Sequence, residues 1–241
     1  MRSYKTISYN VEKSAERIDN ILNIDNSKFE ESESIPDRTK LTYENGYYVN
    51  VGAIFIDIRQ SSTLTEEHKR PKLAKLYRSY ISELVAILNS YEDCKEINIV
   101  GDCVSGIFEA QYKSQIQEMA NASAKINSLI KILNYKLRKK GIVEVSIGIG
   151  LDYGRALMIQ AGYSGSAIND VVWMGDVVNS ASKLCNRANK DKTKTILMGK
   201  NVYCNLTEED KKMVDYNKLE DAYECNWINI VMDKWYDDNC K

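Results

Sequence analysis

The run Gly46-Tyr-Tyr-Val-Asn-Val-Gly-Ala-Ile-Phe-Ile-Asp57-Ile58 constrains the fold of this chain more than any other segment. From Tyr48 to Asp57 it is almost continuously apolar and β-prone. A run without polar alternation reads as a strand buried on both faces. The downstream segments narrow the class. Lys72 to Asn89 places Leu73, Leu76, Tyr77, Tyr80, Ile81, Leu84, Val85 and Leu88 on one helical face. Glu96–Val100 and Val104–Glu109 flank Gly101-Asp102-Cys103 and read as a hairpin. Ser114 to Lys139 is a long helix in which Ile116, Met119, Ala120, Ile126, Ile130 and Leu133 keep the period. Strands are expected at Val143–Asp152 and Ala156–Ala161, a helix at Asp176–Ala188, a short strand at Thr195–Met198 and a short helix at Lys200–Asn205.

The order strand–helix–strand–strand–helix–strand is the ferredoxin-like arrangement. It predicts an α+β fold with a four-stranded antiparallel core and helices on one face. Residues 1–46 read differently. Val11, Ile18, Ile21 and Leu22 share a helical face, and the polar, acidic stretch from Asn26 to Arg38, with Pro36, reads as a linker. The expected division is therefore an N-terminal helix and linker over 1–46 and a catalytic domain over 47–241.

Composition excludes several classes. The chain has 241 residues, 44% hydrophobic and 28% charged, the balance of a globular protein. Its net charge is −1, with neither a basic excess nor a basic stripe in the sequence, so no nucleic-acid partner is expected. The single histidine, His68, rules out a histidine-rich zinc site. The start, Met1-Arg-Ser-Tyr-Lys-Thr, leads to no long apolar core, so no signal peptide is expected. No stretch approaches the roughly 18 apolar residues of a membrane span. The expectation is a cytoplasmic protein without a membrane partner, its six cysteines free in a reducing compartment.

Chemistry concentrates in three segments. Asp57 leaves the first strand in Phe55-Ile-Asp57-Ile58-Arg59-Gln60-Ser61-Ser62-Thr63. Asp102 sits in the Gly101-Asp102 turn, 102 − 57 = 45 residues later. Carboxylates that leave strands beside glycine or serine turns are good ligands for hard cations. In a ferredoxin-like sheet the first strand and the hairpin are neighbours. The two carboxylates then meet without an obvious cationic partner, which is costly unless metal neutralises them. The turn over Ser61, Ser62 and Thr63 can offer backbone N–H groups to an anion. In the third segment, Trp173-Met-Gly175-Asp-Val-Val-Asn179-Ser-Ala-Ser-Lys183, Asn179 and Lys183 lie one helical turn apart on one face.

In this order and spacing the three segments resemble the class III nucleotidyl cyclases, the adenylate and guanylate cyclase superfamily. The resemblance implies that Asp57 and Asp102 hold two Mg²⁺ or Mn²⁺ ions together with the Ile58 carbonyl, and that the Ser61–Thr63 turn binds the triphosphate. It implies that Asn179 and Lys183 stabilise the pentavalent transition state. Lys183 stands where the family has arginine; Arg187 or Arg155 are candidates to assist it. Gln60 stands where glycine is common. It also implies a homodimer with shared active sites, one chain giving the metal ligands and the other Asn179 and Lys183. Purine cyclases carry a lysine at the position of Asn98 and an aspartate or threonine at that of Val172. Asn98, Val172 and Trp173 instead suggest a pocket for a smaller base, with Trp173 narrowing it or giving a stacking face. Asn98 offers both donor and acceptor and does not separate uracil from cytosine.

The combination is similar to the pyrimidine cyclases of the bacterial Pycsar antiphage system, from about Gly46 to Leu184. That branch makes cyclic UMP or cyclic CMP on infection and signals to a separate effector protein. UTP is the favoured substrate only because the branch is more often uridylate-forming. The competing readings are a cytidylate cyclase, a catalytically silent nucleotide-binding homologue, for which Lys183 speaks, and an ordinary purine cyclase, against which Asn98 and Val172 speak.

Overall fold

The structure is a computed structural model that describes residues 8–67, 70–164 and 168–240. His68 lies outside the described residues. In chain order the elements are α1 (Val11–Leu22), β1 (Phe29–Glu31), β2 (Gly46–Ile58), α2 (Ser61–Glu67), α3 (Arg70–Asn89), β3 (Cys94–Val100), β4 (Cys103–Glu109), α4 (Lys113–Lys139), β5 (Ile147–Tyr163), β6 (Ile168–Met174), α5 (Asp176–Arg187), β7 (Ile196–Met198), α6 (Lys200–Asn205), α7 (Glu208–Lys211), β8 (Asp215–Asn217), β9 (Ala222–Cys225) and α8 (Ile230–Asn239).

The ferredoxin-like unit is β2-α3-β3-β4-α4-β5. Its strands lie in the order β3-β4-β2-β5, and every neighbouring pair is antiparallel. The sheet continues through β7, which joins β5 in parallel, then β9 and β8. β2 is central because it is apolar on both faces. Its Ile54, Ile56 and Ile58 enter one core, while Val49, Val51 and Ala53 enter another. α3 and α4 cover the first face, and α3 does so with Leu76, Tyr80, Leu84 and Leu88 at a strict four-residue spacing. The opposite face carries α5 through Val177 and Ala181. The two helices of the ferredoxin-like unit therefore share one face as expected, and α5 adds a layer on the other.

Two expectations change. The strands expected at 143–152 and 156–161 are one strand, β5. Gly154 does not break it; it pairs with Val51, and a side chain there would come within 3.6 Å of Val177 Cβ. Residue Val145 falls outside the strand because Asn134 on α4 takes its backbone. The Asn134 side chain donates to the Val145 carbonyl at 2.8 Å and accepts from its N–H at 2.9 Å. β6 lies in a stretch that periodicity does not assign; it forms a hairpin with the far end of β5, Met174 opposite Leu157.

The acidic stretch expected as a linker is docked. β1 pairs in parallel with the start of β2, the Ile35 N–H donates to Glu109 at 3.0 Å, Arg38 forms an ion pair with Glu96, and Leu41 is buried in the second core. α1 precedes it as expected, capped by Asn10, with Val11, Ile18, Ile21 and Leu22 exposed. All six cysteines are free. Among the described residues no helix is long and apolar enough to cross a membrane.

Candidate active site

Strand geometry places the two carboxylates. Asp57 is the penultimate residue of β2 and lies opposite Gly148 of β5. By alternation its side chain belongs to the face of Val51, Ala53 and Phe55, the one that α5 covers in part. Asp102 occupies the two-residue turn between β3 and β4, closed by the Val100–Cys103 pair, with Gly101 at φ 64°. Because β4 is the neighbour of β2, this turn and the end of β2 share one edge of the sheet.

The electrostatics follow from that proximity. Burial, and next the charge of Asp102, hold the Asp57 carboxyl above its ordinary value. Arg59 and an N–H donated by Ile58 pull the other way. The Cys103 thiol, in the same corner, is pushed up to about 11 by burial and then by both aspartates. One oxygen of Asp102, Oδ2, is buried with no hydrogen-bond partner among the described residues. Two neighbouring carboxylates with a buried orphan oxygen form an all-oxygen donor set that suits a hard divalent cation. No group of three or more His, Cys, Asp or Glu side chains is placed to hold a metal among the described residues, so two carboxylates are what the side chains supply. The Ile58 carbonyl is adjacent, and Ile58's side chain is anchored in the first core.

The expectation that no cation accompanies the pair is corrected. Arg59, only 8% exposed, donates from Nη2 to Asp57 Oδ2 at 3.2 Å and to the Asp57 carbonyl at 3.1 Å. Its other nitrogen, Nη1, donates to the Asn186 carbonyl at 3.0 Å. The sequence does carry the signal: a residue two positions beyond Asp57 returns to the same face of an extended chain.

Ser61, Ser62 and Thr63 form the first turn of α2, directly behind Asp57. Gln60 makes the bend at φ 54°, and both the N–H and hydroxyl of Thr63 return to its carbonyl, at 3.1 and 2.8 Å. The site thus keeps a left-handed residue where the resembling family favours glycine, although the side chain here is Gln.

Asn179 and Lys183 both project from the exposed side of α5, whose other side packs Val177, Ala181, Leu184 and Cys185. Neither makes a side-chain hydrogen bond or ion pair among the described residues. Nothing joins them to Asp57 or Asp102 within this chain. Arg155 and Arg187 are engaged elsewhere: Arg155 pairs with Glu31 and stacks 3.8 Å over Tyr48, and Arg187 pairs with Glu220 at 3.0 Å.

The base-pocket residues are spread out. Asn98, half-buried, is registered through Ser105 and Phe55 to Gly150. Val172 is registered to Ile159, 159 − 150 = 9 residues further along β5. Trp173 does not offer a stacking face. Its ring is 8% exposed and fills the second core beside Met158 and Val177, because it alternates with Val172 along β6.

Comparison with known proteins places this geometry. Residues 43–223 match the adenylate and guanylate cyclase catalytic domain family. A uridylate cyclase of Gulbenkiania mobilis is 45% identical over 252 residues, spanning 96% of this chain and 97% of that protein. A uridylate cyclase of Treponema porcinum is 37% identical over 221 residues, spanning 89% of this chain and 77% of that protein. The crystal structure of an adenylyl cyclase from P. aeruginosa superimposes with a TM-score of 0.61 at 23% identity, over 71% of this chain and 85% of that one, and shares its fold.

Proposed function

The chain belongs to the adenylate and guanylate cyclase family, as a nucleotidyl cyclase of class III, and on that premise we propose that it converts UTP, or CTP less readily, into the 3′,5′-cyclic monophosphate and pyrophosphate. The observation that carries the reading is the Asp57–Asp102 pair at one sheet edge, with the orphan Oδ2 of Asp102 turned inward. A pyrimidine over a purine is supported by the absence of the purine-reading side chains at Asn98 and Val172, and UTP over CTP by the 45% identity to a uridylate cyclase.

In this reading Asp57, Asp102 and the Ile58 carbonyl hold two Mn²⁺ or Mg²⁺ ions, and the Ser61–Thr63 turn receives the triphosphate. When bound, such ions lower the pKa of the ribose 3′-hydroxyl and offset phosphate charge. The 3′-oxygen forms a bond to the α-phosphorus, the bond to the β-phosphate oxygen breaks, and the hydroxyl proton leaves to solvent. Arg59 holds the Asp57 carboxylate in place. Asn179 and Lys183 of a second copy close on the α-phosphate. Their exposure on the outer side of α5 supports a site completed by another chain. Lysine supplies the charge there without the bidentate fork of arginine. Asn98 and Val172 are the candidate base-reading positions, although the register of one chain does not bring them together, and Trp173 packs β6 from beneath.

The product then acts as a second messenger in antiphage defence, read by a separate effector protein, with the enzyme in the cytoplasm. This step rests on the resemblance to the Pycsar cyclases. A silent nucleotide-binding homologue is favoured by Lys183 alone, and a site that retains both carboxylates weighs against it. The direct test is to incubate the full chain with UTP and Mn²⁺ and resolve products by mass spectrometry. Cyclic UMP with equimolar pyrophosphate is expected. An Asp57→Ala chain mixed with an Asn179→Ala chain should regain activity that neither has alone; failure, with subunit exchange confirmed, contradicts the shared site.

A further inference from the structure

We propose that Arg59 is a positioning residue that ties Asp57 to the helix bearing Asn179 and Lys183, so that the two half-sites contributed by one chain move together. The roles of those three residues rest on the cyclase reading; the contacts of Arg59 do not.

Three segments meet at Arg59. Its own backbone is fixed by the Arg59 N–H, which donates to the Ser146 carbonyl at 2.8 Å, just ahead of β5. One nitrogen holds Asp57 twice, at 3.1 and 3.2 Å, through backbone and side chain. The other reaches the Asn186 carbonyl at 3.0 Å, in the last turn of α5. The last four carbonyls of a helix have no intrahelical donor, and a cation there also meets the negative end of the helix dipole. Glycine makes the approach possible. A Cβ at Gly148 would lie 3.0 Å from Arg59 Cζ and under 3 Å from the carbonyls of Cys185 and Ala188.

A cation kept only to neutralise Asp57 would need neither the contact to Asn186 nor this depth. Arg59 is buried even though its Nε has no partner among the described residues, so burial is not serving to saturate its hydrogen bonds. The planar fork spans two elements, which a lysine ammonium does not do. The far end of the lever is α5 itself. From Asn186 back to Asn179 is 186 − 179 = 7 residues, about 10 Å of helix that moves as a unit. In a dimer with shared sites, Asp57 serves one site and Asn179 of the same chain serves the other. Arg59 then makes cation loading in one site felt at the transition-state residues of its twin.

Hydrogen exchange on the full chain tests this without any turnover. Addition of Mn²⁺ should change exchange over the last turn of α5, residues 183–189, by about threefold or more. Arg59→Ala should abolish that response, and Arg59→Lys should not restore it. A wild-type chain without the response, or an Arg59→Ala chain that keeps it, overturns the proposal. A second measurement uses the mixed dimer of Asp57→Ala and Asn179→Ala chains. Its live site takes only α5 from the Asp57→Ala chain. Adding Arg59→Ala to that chain should lower kcat about 10- to 100-fold while leaving the half-saturating Mn²⁺ concentration unchanged. An unchanged kcat contradicts the hold of Arg59 on α5, the half of the link that survives in the Asp57→Ala chain. An inactive unmodified pair contradicts the shared-site cyclase reading instead, and the exchange experiment still decides the role of Arg59.

Discussion

The two faces of the central sheet are built to opposite rules. On the α3/α4 face the groups are large and sealed: Tyr80, Phe108, Ile54, Ile56, Leu76, Leu84 and Leu88 are all fully buried. On the α5 face β5 presents Gly148 and Gly150, β2 presents Asp57, and a buried guanidinium sits between strand and helix. Glycines there let backbone approach backbone, and charge is held near the edge. In the proposed reading the first face carries stability and the second carries chemistry. Substitutions on one should spare the property that belongs to the other.

The largest effect is expected on the chemical face. Asp57→Ala or Asp102→Ala removes one of the two carboxylates proposed to hold the cations. Turnover should fall about 10⁴-fold, roughly 5.4 kcal/mol of transition-state stabilisation. Thermal unfolding should stay within a few degrees of wild type. A folded mutant with near-normal turnover would break the comparison at its strongest point.

Phe108→Ala is the mirror image. It empties a fully buried site under α3 and α4 and should cost about 3–5 kcal/mol of folding stability. Activity per folded molecule, measured at low temperature, should be largely retained. A selective loss of turnover without loss of stability would mean that the two faces are not separable.

Gly150→Ala asks how tightly α5 must sit. The added Cβ would fall 2.1 Å from the Ala181 carbonyl and 2.2 Å from the Cys185 nitrogen, both backbone atoms of the helix. About 1–3 kcal/mol of stability should be lost as α5 shifts, with a drop in kcat larger than the change in substrate KM. Denaturant titration and steady-state kinetics on one preparation read both.

The smallest effect is a gain. Gln60 holds φ 54° at the turn behind Asp57, a conformation that costs an ordinary L-residue about 1–2 kcal/mol. Gln60→Gly should stabilise the protein by about 1 kcal/mol, less the entropy that glycine adds to the unfolded chain. A loss of stability would show that the Gln60 side chain makes a contact worth more than the strain.

Legibility in the sequence divides along the same line. The α3/α4 face is readable because burial there is periodic: Leu76, Tyr80, Leu84 and Leu88 recur at helical spacing, and β2 is apolar throughout. The two aspartates are readable because each ends a strand at a turn. Arg59 escapes notice as their partner because its charge on paper resembles a solvated turn residue, and only the packing of α5 over Gly148 buries it. The burial of Trp173 is not readable for the related reason that a strand's two faces cannot be assigned until the strand itself, β6, is known. The stretch from Asn26 to Arg38 reads as a linker because it is polar and acidic. It is docked because Glu109 and Glu96 lie on the sheet beneath it with the Ile35 N–H and Arg38 as partners. Such long-range pairings leave no local pattern. The proposed dimer, finally, has only a residue-level trace: two exposed polar side chains, Asn179 and Lys183, on a helix otherwise anchored by apolar ones.

A four-way competition experiment reads the base preference of the enzyme. The full chain is given ATP, GTP, CTP and UTP together at equal concentration with Mn²⁺, and the cyclic products are quantified by mass spectrometry over the linear phase. Cyclic UMP is expected as the main product, cyclic CMP behind it and the purine products well below both, all of them lost in Asp57→Ala. Cyclisation of ATP or GTP at least as fast as that of both pyrimidine triphosphates would contradict that preference.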